Sequence, residues 1–486
     1  MEILDKNKSY EENLNEYVRR EKAAVKLISS IGHLMYEKSI ELVLFRNPLV
    51  DKSISDVLNL HSKAKSIAFN PVDIFDSSSL AKELESLDIA PSKIDIGRLA
   101  AEWHNEKANY ASQTDFLKDK LKDFIAADGH QLQPKDVVLF GFGRIGRLAA
   151  RELVKQAGKG QQLRLRAIVT RKVTDEEIIK RAALLRNDSV HGLFSGTVDA
   201  DIENKALIIN GQIVKLIEAN NPEDVDYTAF GINDALLIDN TGVFSNREQL
   251  SRHIEAKGIS KVLLTAPGKE VPNVVYGINE NTLDLENENI FSAASCTTNA
   301  ISPILYVVEN ELGVVKGHIE TVHAYTNDQN LLDNMHKKPR RGRSAAINMV
   351  ITSTGAGNAV TKVIPSLKEK LTANAVRVPT PNGSLAILSL EVKKETSVDE
   401  INELIRKAAL QGSLVNQIKY ENDPELVSTD IIGNICCSVY DSNATIVSND
   451  KKNIVLYVWY DNEFGYTKQV IRLAKYIAKV RRLIYY

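Results

Sequence analysis

The amino-acid sequence predicts three consecutive regions: an all-α N-terminal region, an α/β domain, and an α+β domain with a mixed or antiparallel sheet. Apolar residues recur at helical spacing up to about Gln133. A short apolar run at residues 136–140 then leads into a glycine-rich turn and a new helical pattern. Further on, residues 384–392 alternate as one face of an antiparallel sheet should. A chain of 486 residues is long enough for all three regions.

The composition is that of an ordinary globular protein, and it narrows the function. The formal net charge of −2 gives no reason to expect a nucleic acid or an acidic membrane as partner. The three cysteines, Cys296, Cys436 and Cys437, form neither a disulfide framework nor a metal-ligand spacing, which fits a reducing cytosol. The first residues, MEILDK, lack the apolar core of a signal peptide, and no apolar run is long enough to cross a bilayer. We therefore expect a cytoplasmic protein without a metal site.

The N-terminal region, residues 1–133, is predicted to be helical because residues such as Leu27 and Ile31 recur at helical spacing. Breaks are predicted at residues 47–48, 69–73 and 128–129, where proline or glycine occurs. The region contains no group of residues typical of catalysis. We expect a helical addition that packs on the main body or extends an oligomer interface.

A dinucleotide-binding domain is predicted over residues 134–294. The apolar run at residues 136–140 indicates a buried parallel strand, and GFGRIGR at residues 141–147 connects it to a helical pattern. This is GxGxxG between a strand and a helix, where glycines allow a tight turn and a pyrophosphate can lie on the helix N-terminus. The pattern is typical of a Rossmann domain. The predicted cofactor-binding glycines are Gly141, Gly143 and Gly146.

The end of the next strand bears on the choice of cofactor. Residues 163–169 are strand-like and are followed by Thr170, Arg171 and Lys172. An enzyme that uses NAD normally has an acidic residue there, which binds the ribose 2′-hydroxyl and would repel a 2′-phosphate. The two cations could instead pair with that phosphate. We therefore predict NAD or NADP as cofactor, with NADP accepted; the alternative is that both cations only lie on a solvated loop.

Further strand-like segments, residues 235–239, 240–244 and 261–268, belong to the same domain. Thr241 and Thr265 lie at the predicted carboxyl ends of these strands. Open α/β sheets bind ligands at the carboxyl ends of their strands, so these threonines are candidates for the cofactor cleft.

The sequence SCTTN at residues 295–299 lies between a strand-like segment and a helical pattern. A thiol at such a corner lies near the helix N-terminus, whose N–H groups and dipole favour the reactive thiolate. The same N–H groups and the flanking hydroxyls can hold an oxyanion or a phosphate. The alternative interpretation of Cys296 is a buried, inert cysteine.

Three later segments supply possible partners for this cysteine. His323 follows a predicted strand and can take a proton from the thiol. TSTGAG at residues 352–357 is a hydroxyl-rich segment before a helix, and Arg377 lies in a segment bounded by prolines; both suit an anion. The basic cluster at residues 337–343 is interpreted as a loop that serves phosphorylated ligands or subunit contacts, since the chain is not basic overall.

Taken together, these motifs resemble those of the phosphorylating glyceraldehyde-3-phosphate dehydrogenase family. The resemblance extends from about Lys135 to the C-terminus and follows the order of the family. The motifs that carry it are GFGRIGR, SCTTN, TVHAYT, TSTGAG, RVPTPN and WYDNEFGY. It implies a catalytic domain at residues 295–461 and a C-terminal helix at residues 462–486 that returns to the Rossmann domain.

The resemblance also implies roles for individual residues. Cys296 would be the nucleophile and His323 its base. The implied cofactor contacts are Arg144 and Ile145 to the dinucleotide backbone, Thr241 and Thr265 in the cleft, and Asn462 to the nicotinamide carboxamide. The implied site for inorganic phosphate is Ser295, Thr297, Thr354 and Gly355. Thr326 and Arg377 would bind the substrate phosphate, with Arg377 near both sites.

Three features depart from the family pattern. Thr170 stands where NAD-specific members have aspartate, and Asp328 stands where many members have a threonine that contacts the substrate phosphate. The N-terminal region lies outside the usual family core and resembles the extension of a longer bacterial subgroup.

The segment after His323 resembles the loop that reaches a neighbouring subunit's cofactor, which implies a homotetramer.

The implied reaction is the reversible oxidation of glyceraldehyde 3-phosphate to 1,3-bisphosphoglycerate, in glycolysis or gluconeogenesis. It would proceed through a cysteine thioester, with hydride transfer to NAD(P) and attack by inorganic phosphate. Two alternatives stay open. One is an erythrose-4-phosphate dehydrogenase, which would share nearly every motif; the other is a non-catalytic scaffold or regulatory protein that kept the fold.

Overall fold

A computed structural model describes residues 8–68, 72–125 and 132–486, without the side chains of residues 65–68. The chain divides into two compact units. The first comprises Met1–Pro134, Ala157–Gln162 and Lys479–Tyr486, and the second comprises Lys135–Gln156 and Leu163–Ala478. The breaks predicted at residues 69–73 and 128–129 fall largely or wholly outside the described residues.

The described residues form twelve α-helices: α1 (Tyr10–Lys38), α2 (Ile54–Ala68), α3 (Ile74–Leu84), α4 (Ile96–Glu106), α5 (Gln113–Lys120), α6 (Arg144–Lys155), α7 (Asp175–Arg186), α8 (Arg247–Glu255), α9 (Cys296–Glu311), α10 (Ala356–Val363), α11 (Val398–Leu410) and α12 (Phe464–Ile477). Their strands are β1 (Glu41–Leu44), β2 (Asn47–Pro48), β3 (Ser92–Asp95), β4 (Lys135–Phe140), β5 (Leu163–Thr170), β6 (Asn187–Asp188), β7 (Gly192–Leu193), β8 (Val198–Asp201), β9 (Ala206–Ile209), β10 (Gln212–Glu218), β11 (Ala235–Asp239), β12 (Ile259–Leu264), β13 (Ile290–Ser292), β14 (Val314–Ala324), β15 (Val350–Thr352), β16 (Leu371–Val378), β17 (Ser384–Val392), β18 (Ile418–Glu421), β19 (Ser438–Asp441), β20 (Ile446–Val447), β21 (Asn453–Tyr460) and β22 (Leu483–Tyr485). Among the described residues, no helix is both long and apolar enough to cross a membrane.

The N-terminal unit is largely helical, as predicted, but it is not all-α. It contains a four-stranded sheet in the order β2-β1-β3-β22. Helix α1 ends at Lys38 because Ser39 adopts a left-handed conformation with φ of 59°, and not at the proline of residues 47–48. The run after it is buried on both faces and forms β1. A short, continuous apolar run does not distinguish a buried strand from a buried helix. For this reason, the periodicity of the sequence led to the wrong prediction that residues 41–44 belong to an all-α region.

Asp95 joins the hairpin of β1 and β2 to helix α4. Its carboxylate accepts hydrogen bonds from the backbone N–H groups of Phe45 and Arg46 in the hairpin turn, and of Gly97 and Arg98 in the first turn of α4. Phe45 and Arg46 have φ of 42° and 69°, a conformation that non-glycine residues seldom adopt. The four N–H donors therefore compensate for both the strained turn and the burial of the carboxylate, although burial still raises the pKa of Asp95.

The C-terminus corrects a second prediction. Helix α12 packs on α6, with an ion pair between Lys468 and Glu152, but it ends at Ile477 rather than near residue 486. The last residues form β22, which pairs in parallel with β3 in the N-terminal sheet. The partner strand lies about 390 positions earlier in the chain. No local pattern in residues 479–486 indicates it.

The first half of the second unit is the predicted Rossmann domain. Its sheet has the order β13-β12-β11-β4-β5-β10-β9-β8. The six strands from β13 to β10 are parallel, whereas β9 and β8 are antiparallel additions. The order reverses between β4 and β11, and a dinucleotide binds at such a switch point, beside the carboxyl ends of the strands.

The second half of this unit is the predicted α+β domain. Its sheet has the order β15-β16-β14-β17-β21-β19-β18, with β20 also paired to β21. The pairs β14–β16 and β18–β19 are parallel and the others antiparallel, so the sheet is mixed. Buried residues of α9, including Ile301 and Ile304, pack in one core with sheet residues such as Leu388 and Leu456. This packing fixes α9, and with it Cys296, against the strand that carries His323.

Candidate active site

Cys296 is the first residue of α9, at a sharp corner after β13. Ala294 has φ of 56°, and its carbonyl accepts a hydrogen bond from the Tyr466 hydroxyl at 2.9 Å. Ser295 caps the helix by accepting the N–H of Thr298 at 3.0 Å. The Asn299 amide donates to the carbonyls of Ala293 and Ser295, closing the corner from the helix side. The unusual backbone of Ala294 is thus held by side chains on two helices.

The structure brings Cys296 and His323 into contact. His323 is the second-to-last residue of β14, and its Nε2 lies 3.7 Å from Sγ of Cys296. His323 is buried and Cys296 is half-buried. The sulfur therefore has an imidazole nitrogen as a possible acceptor of its proton.

Burial opposes the charged form of both groups. It raises the pKa of the Cys296 thiol above its ordinary 9.0, although the Arg377 guanidinium and hydrogen bonding to Thr297 act in the other direction. Burial, and after it the charge of Arg377, lowers the pKa of His323 to about 3. The free site therefore holds a thiol beside a neutral imidazole. The backbone N–H groups at the start of α9 also favour the thiolate, as expected, but they act against the larger effect of desolvation.

Arg377 lies directly behind the imidazole, because β16 pairs in parallel with β14 and its register places Arg377 beside His323. Its Nη1 donates to the carbonyl of Ala324 at 2.8 Å and lies 2.6 Å from Nδ1 of His323. Nδ1 also lies 2.7 Å from that carbonyl oxygen. The tautomer with hydrogen on Nδ1 donates to Ala324 and leaves Nε2 as the acceptor that faces the thiol, whereas a hydrogen bond from Arg377 to Nδ1 requires the opposite tautomer, with hydrogen on Nε2.

A second arginine, Arg341, adds positive charge close enough to Arg377 to affect its ionisation. Arg341 pairs with Asp328, which also accepts the hydroxyl of Thr326, and its Nε donates to Thr352 at 3.1 Å. Burial, and after it the charge of Arg341, lowers the pKa of Arg377, and Nε of Arg377 has no hydrogen-bond partner among the described residues. Two guanidinium groups whose charges interact, with Asp328 as the carboxylate paired to one of them, favour a bound anion. The basic cluster had indicated this region without singling out Arg341.

The candidate phosphate residues lie in two places. Thr297 is in the first turn of α9, where its hydroxyl lies 3.1 Å from that of the buried Tyr460. Thr354 accepts the N–H of Ala356, and Gly355 begins α10 without a capping side chain. Both places are helix N-termini with backbone donors. Tyr460 belongs to the WYDNEFGY motif but was not singled out as a site residue, and it also packs edge-on against His323 with 5.8 Å between ring centroids.

The predicted glycine turn fits a dinucleotide. Gly141 has φ of 95°, and a Cβ on Gly146 would lie 2.5 Å from the carbonyl oxygen of Gly141. A Cβ on Gly143 would meet no atom within 4 Å, so its missing side chain leaves open space at the start of α6. Gly143 also precedes the helix without a side-chain cap, so the first N–H groups of α6 can bind a pyrophosphate.

Arg144 has a more constrained side chain than the sequence indicated. Its guanidinium pairs with Asp188, at 3.1 Å, and with Glu463, which also contacts His191 at 3.1 Å. Burial opposes ionisation of Asp188, but backbone N–H groups including that of His191, together with Arg144, lower its pKa to about 2. Since this side chain is occupied, the predicted contact of Arg144 with the dinucleotide would be made by its backbone N–H, as for Ile145. The sequence did not identify Asp188 or Glu463.

The other predicted cofactor residues lie at the carboxyl edge of the Rossmann sheet or close to it. Thr241 donates its N–H and hydroxyl to Asp239, at 2.8 and 2.7 Å, and Thr265 donates its N–H and hydroxyl to the Asp239 carbonyl. Thr170 ends β5, and its hydroxyl donates to the carbonyl of Lys172. Asn462 is buried, and its side-chain oxygen accepts the Ser384 hydroxyl at 2.9 Å. Its amide nitrogen is therefore the group available to a carboxamide oxygen.

The fold and the site define the class of the protein, an NAD-dependent oxidoreductase with a cysteine and a histidine in contact. Two family models match this chain. The NAD binding domain of glyceraldehyde 3-phosphate dehydrogenase matches residues 135–247, and the C-terminal domain of the same family matches residues 295–462. The chain belongs to the glyceraldehyde 3-phosphate dehydrogenase family, which confirms the resemblance found in the sequence.

Similar proteins include both long and short relatives. A glyceraldehyde-3-phosphate dehydrogenase-like protein of Pseudomonas aeruginosa is 45% identical over 458 residues, which are 93% of this chain and 98% of the relative. The glyceraldehyde-3-phosphate dehydrogenases of Priestia megaterium and Geobacillus stearothermophilus are 40% and 39% identical, over 70% of this chain and 96% of each relative. The similarity to the Pseudomonas protein thus includes most of the N-terminal region.

Proposed function

We propose that this chain oxidises glyceraldehyde 3-phosphate and transfers the acyl group to inorganic phosphate, giving 1,3-bisphosphoglycerate, with NAD or NADP as hydride acceptor. The observation that carries the proposal is the contact of Cys296 and His323 at 3.7 Å, with Arg377 behind the imidazole. The family membership and the relatives named glyceraldehyde-3-phosphate dehydrogenase support the choice of substrate.

The first step forms a bond between Sγ of Cys296 and the aldehyde carbon, while Nε2 of His323 takes the thiol proton and returns it to the carbonyl oxygen. His323 then accepts the proton of the resulting hydroxyl as the carbon loses a hydride. When bound, the nicotinamide supplies the hydride acceptor. The product on the protein is a thioester, which conserves the oxidation energy. General-base assistance of this kind is typically worth about 10²–10⁴-fold.

In the second step a phosphate oxygen attacks the thioester carbon, and Sγ leaves with the electron pair of the broken bond. Arg377 is placed to hold that phosphate, because its Nε has no partner among the described residues and its charge also stabilises the departing thiolate. Thr326 and Arg377 are the proposed site for the phosphate group of the substrate, and the charge of Arg341, which pairs with Asp328, supports an anion there. The acyl phosphate is then released.

The test is reduction of NAD or NADP by glyceraldehyde 3-phosphate, measured by absorbance with and without inorganic phosphate. We expect steady turnover only when phosphate is present. Cys296→Ser should lower turnover by at least about 10⁴-fold while NADH binding, measured by fluorescence, is unchanged. Erythrose 4-phosphate as the better substrate, by the ratio of kcat/KM, would favour the alternative enzyme. Near-normal turnover of Cys296→Ser would refute the nucleophile.

The proposal includes acceptance of NADP. Arg171 and Lys172 follow Thr170 and are exposed, and no carboxylate occupies the last position of β5. A 2′-phosphate would therefore find two cations within the turn. Comparison of kcat/KM for the two cofactors tests this point, and a preference for NAD above about 10³-fold would contradict it.

The proposal also includes a homotetramer. The segment between β14 and β15 exposes Leu331, Leu332 and Met335, and Ile347 and Met349 are exposed near its end. Apolar side chains that cluster on one segment mark an interaction surface. A second copy of the chain is the proposed occupant, and light scattering of the protein in solution measures it. Cys296, Cys436 and Cys437 form no disulfide bond, which supports a reducing, cytoplasmic location.

A further inference from the structure

The turn after β5 lies beside a carboxylate from another strand. Glu218 is the last residue of β10, and the register of the two parallel strands pairs it with Thr170. The N–H of Ala219 donates to the carbonyl of Thr170 at 3.0 Å, so the strands remain paired up to their ends. Residues paired in this way point to the same face of the sheet and lie about 4.8 Å apart. Glu218 and Thr170 therefore share one face at the carboxyl edge.

The carboxylate of Glu218 is fixed in this turn. Its Oε2 accepts the backbone N–H of Val173 at 3.0 Å, two residues after Arg171. The side chain is exposed, and a carboxylate can accept several hydrogen bonds through its two oxygens. Oε1 is thus available to a ligand that lies along the turn.

We propose that Glu218 supplies, from the neighbouring strand, the acidic group that the end of β5 lacks, and that it determines the preference between NAD and NADP. Its carboxylate accepts a hydrogen bond from the adenosine ribose hydroxyl of NAD and repels the 2′-phosphate of NADP. Arg171 and Lys172 act in the opposite direction on the same phosphate. The inference rests on one part of the proposed function, the binding of a dinucleotide at this edge of the sheet, and does not depend on the reaction.

Other charges surround the turn and must be separated from Glu218. The first turn of α7 carries Asp175, Glu176 and Glu177, and Glu177 lies 3.6 Å from Arg181. Glu176 is exposed and has the same charge as Glu218, but it lies on the helix rather than on the strand end. It is therefore the matched control for a general effect of negative charge near the site.

The experiment measures dissociation constants of NADH and NADPH by fluorescence titration of the full-length protein, so it needs no turnover. In Glu218→Gln the amide oxygen can still accept the N–H of Val173, and the midpoint of thermal unfolding should not change. We expect NADH binding to weaken and the ratio of the two constants to shift about tenfold towards NADPH, the size of one charge-assisted hydrogen bond. Glu176→Gln should shift it less than about twofold.

The outcomes separate the two proposals. An unchanged ratio in Glu218→Gln, or a shift no larger than that of Glu176→Gln, would overturn the role of Glu218. A wild-type protein that binds both dinucleotides but forms no acyl phosphate would overturn the proposed reaction and leave Glu218 as the selecting group. If the wild type bound no NADPH, the proposal that it accepts NADP would be refuted. Weaker NADH binding in Glu218→Gln than in wild type would then still support the role of Glu218, and unchanged NADH binding would overturn it.

Discussion

At Cys296, burial and the helix N-terminus act in opposite directions on the thiol. Desolvation is the stronger effect, so the pKa of the thiol is raised even though Arg377 and Thr297 favour the thiolate. The neutral imidazole of His323, 3.7 Å away, is then the group that allows the thiol to react near neutral pH. In this site the reactive form depends on the pair of residues and not on the position of the cysteine alone.

We predict that His323→Asn lowers the rate of alkylation of Cys296 by iodoacetamide about tenfold at pH 7, because the thiol must then ionise without a base. As the pH rises from 7 the two rates should approach each other, since hydroxide can then remove the thiol proton without the imidazole. Mass spectrometry of the labelled peptide over this pH range measures the effect. Burial also raises the pKa of Cys437, to about 12, so that thiol does not compete. Equal rates at pH 7 would contradict the pairing.

At the scale of elements, the turn from β4 to α6 uses its glycines for different reasons. A Cβ on Gly146 would collide with the backbone oxygen of Gly141 at 2.5 Å, so that glycine is required by the fold itself. A Cβ on Gly143 would touch no described atom within 4 Å. If Gly143 is constrained, the constraint comes from a ligand that approaches the helix N-terminus.

We therefore predict that alanine at Gly143 and alanine at Gly146 differ in their effect on thermal stability. Gly143→Ala should leave the midpoint of thermal unfolding within about 2 °C of wild type while it weakens NADH binding at least about tenfold, because the methyl group occupies the space of the pyrophosphate. Gly146→Ala, in contrast, should lower the midpoint of thermal unfolding by about 5 °C or more. Calorimetry and fluorescence titration measure the two effects. Normal NADH binding by Gly143→Ala would place the pyrophosphate elsewhere.

At the scale of the whole molecule, the N-terminal unit is built from three separate stretches of chain. The last residues supply the edge strand β22, and Arg482 forms a buried ion pair with Glu41 at 3.2 Å. Lys93 also pairs with Glu41, at 3.0 Å. The unit therefore cannot be complete before the C-terminus of the chain has been made.

We predict that Arg482→Ala destabilises the N-terminal unit by about 2 kcal/mol, less than the loss of a whole buried pair because Lys93 remains beside Glu41. Hydrogen exchange at the amides of β3 measures the free energy of local unfolding. Arg406→Ala, which breaks a more exposed pair with Glu403, is the matched control and should change stability by about 0.5 kcal/mol or less. Unchanged exchange in Arg482→Ala would show that the ion pair between Arg482 and Glu41 does not stabilise the unit.

Much of the fold and site was predictable because it is encoded locally. Strands β11 and β17 coincide with predicted runs, and the glycine turn indicated the Rossmann half. Cys296 and His323 were identified from motifs whose neighbours define their setting. Asp188, Glu463 and Tyr460 were not identified as site residues, because each acts through a partner far away in sequence. Arg341 was not singled out from its basic cluster, because only the folded loop shows which of the cations pairs with Asp328.

The sequence by itself determined the family, the Rossmann half and the residue types of the site, since these depend on short motifs with their own chemistry. The tertiary structure alone decided that β22 completes the N-terminal sheet, that Arg377 lies behind His323, and that Glu218 lies beside Thr170. Strand register sets all three arrangements. Register depends on which buried faces pack together over the whole chain, and no local pattern of residues contains that information.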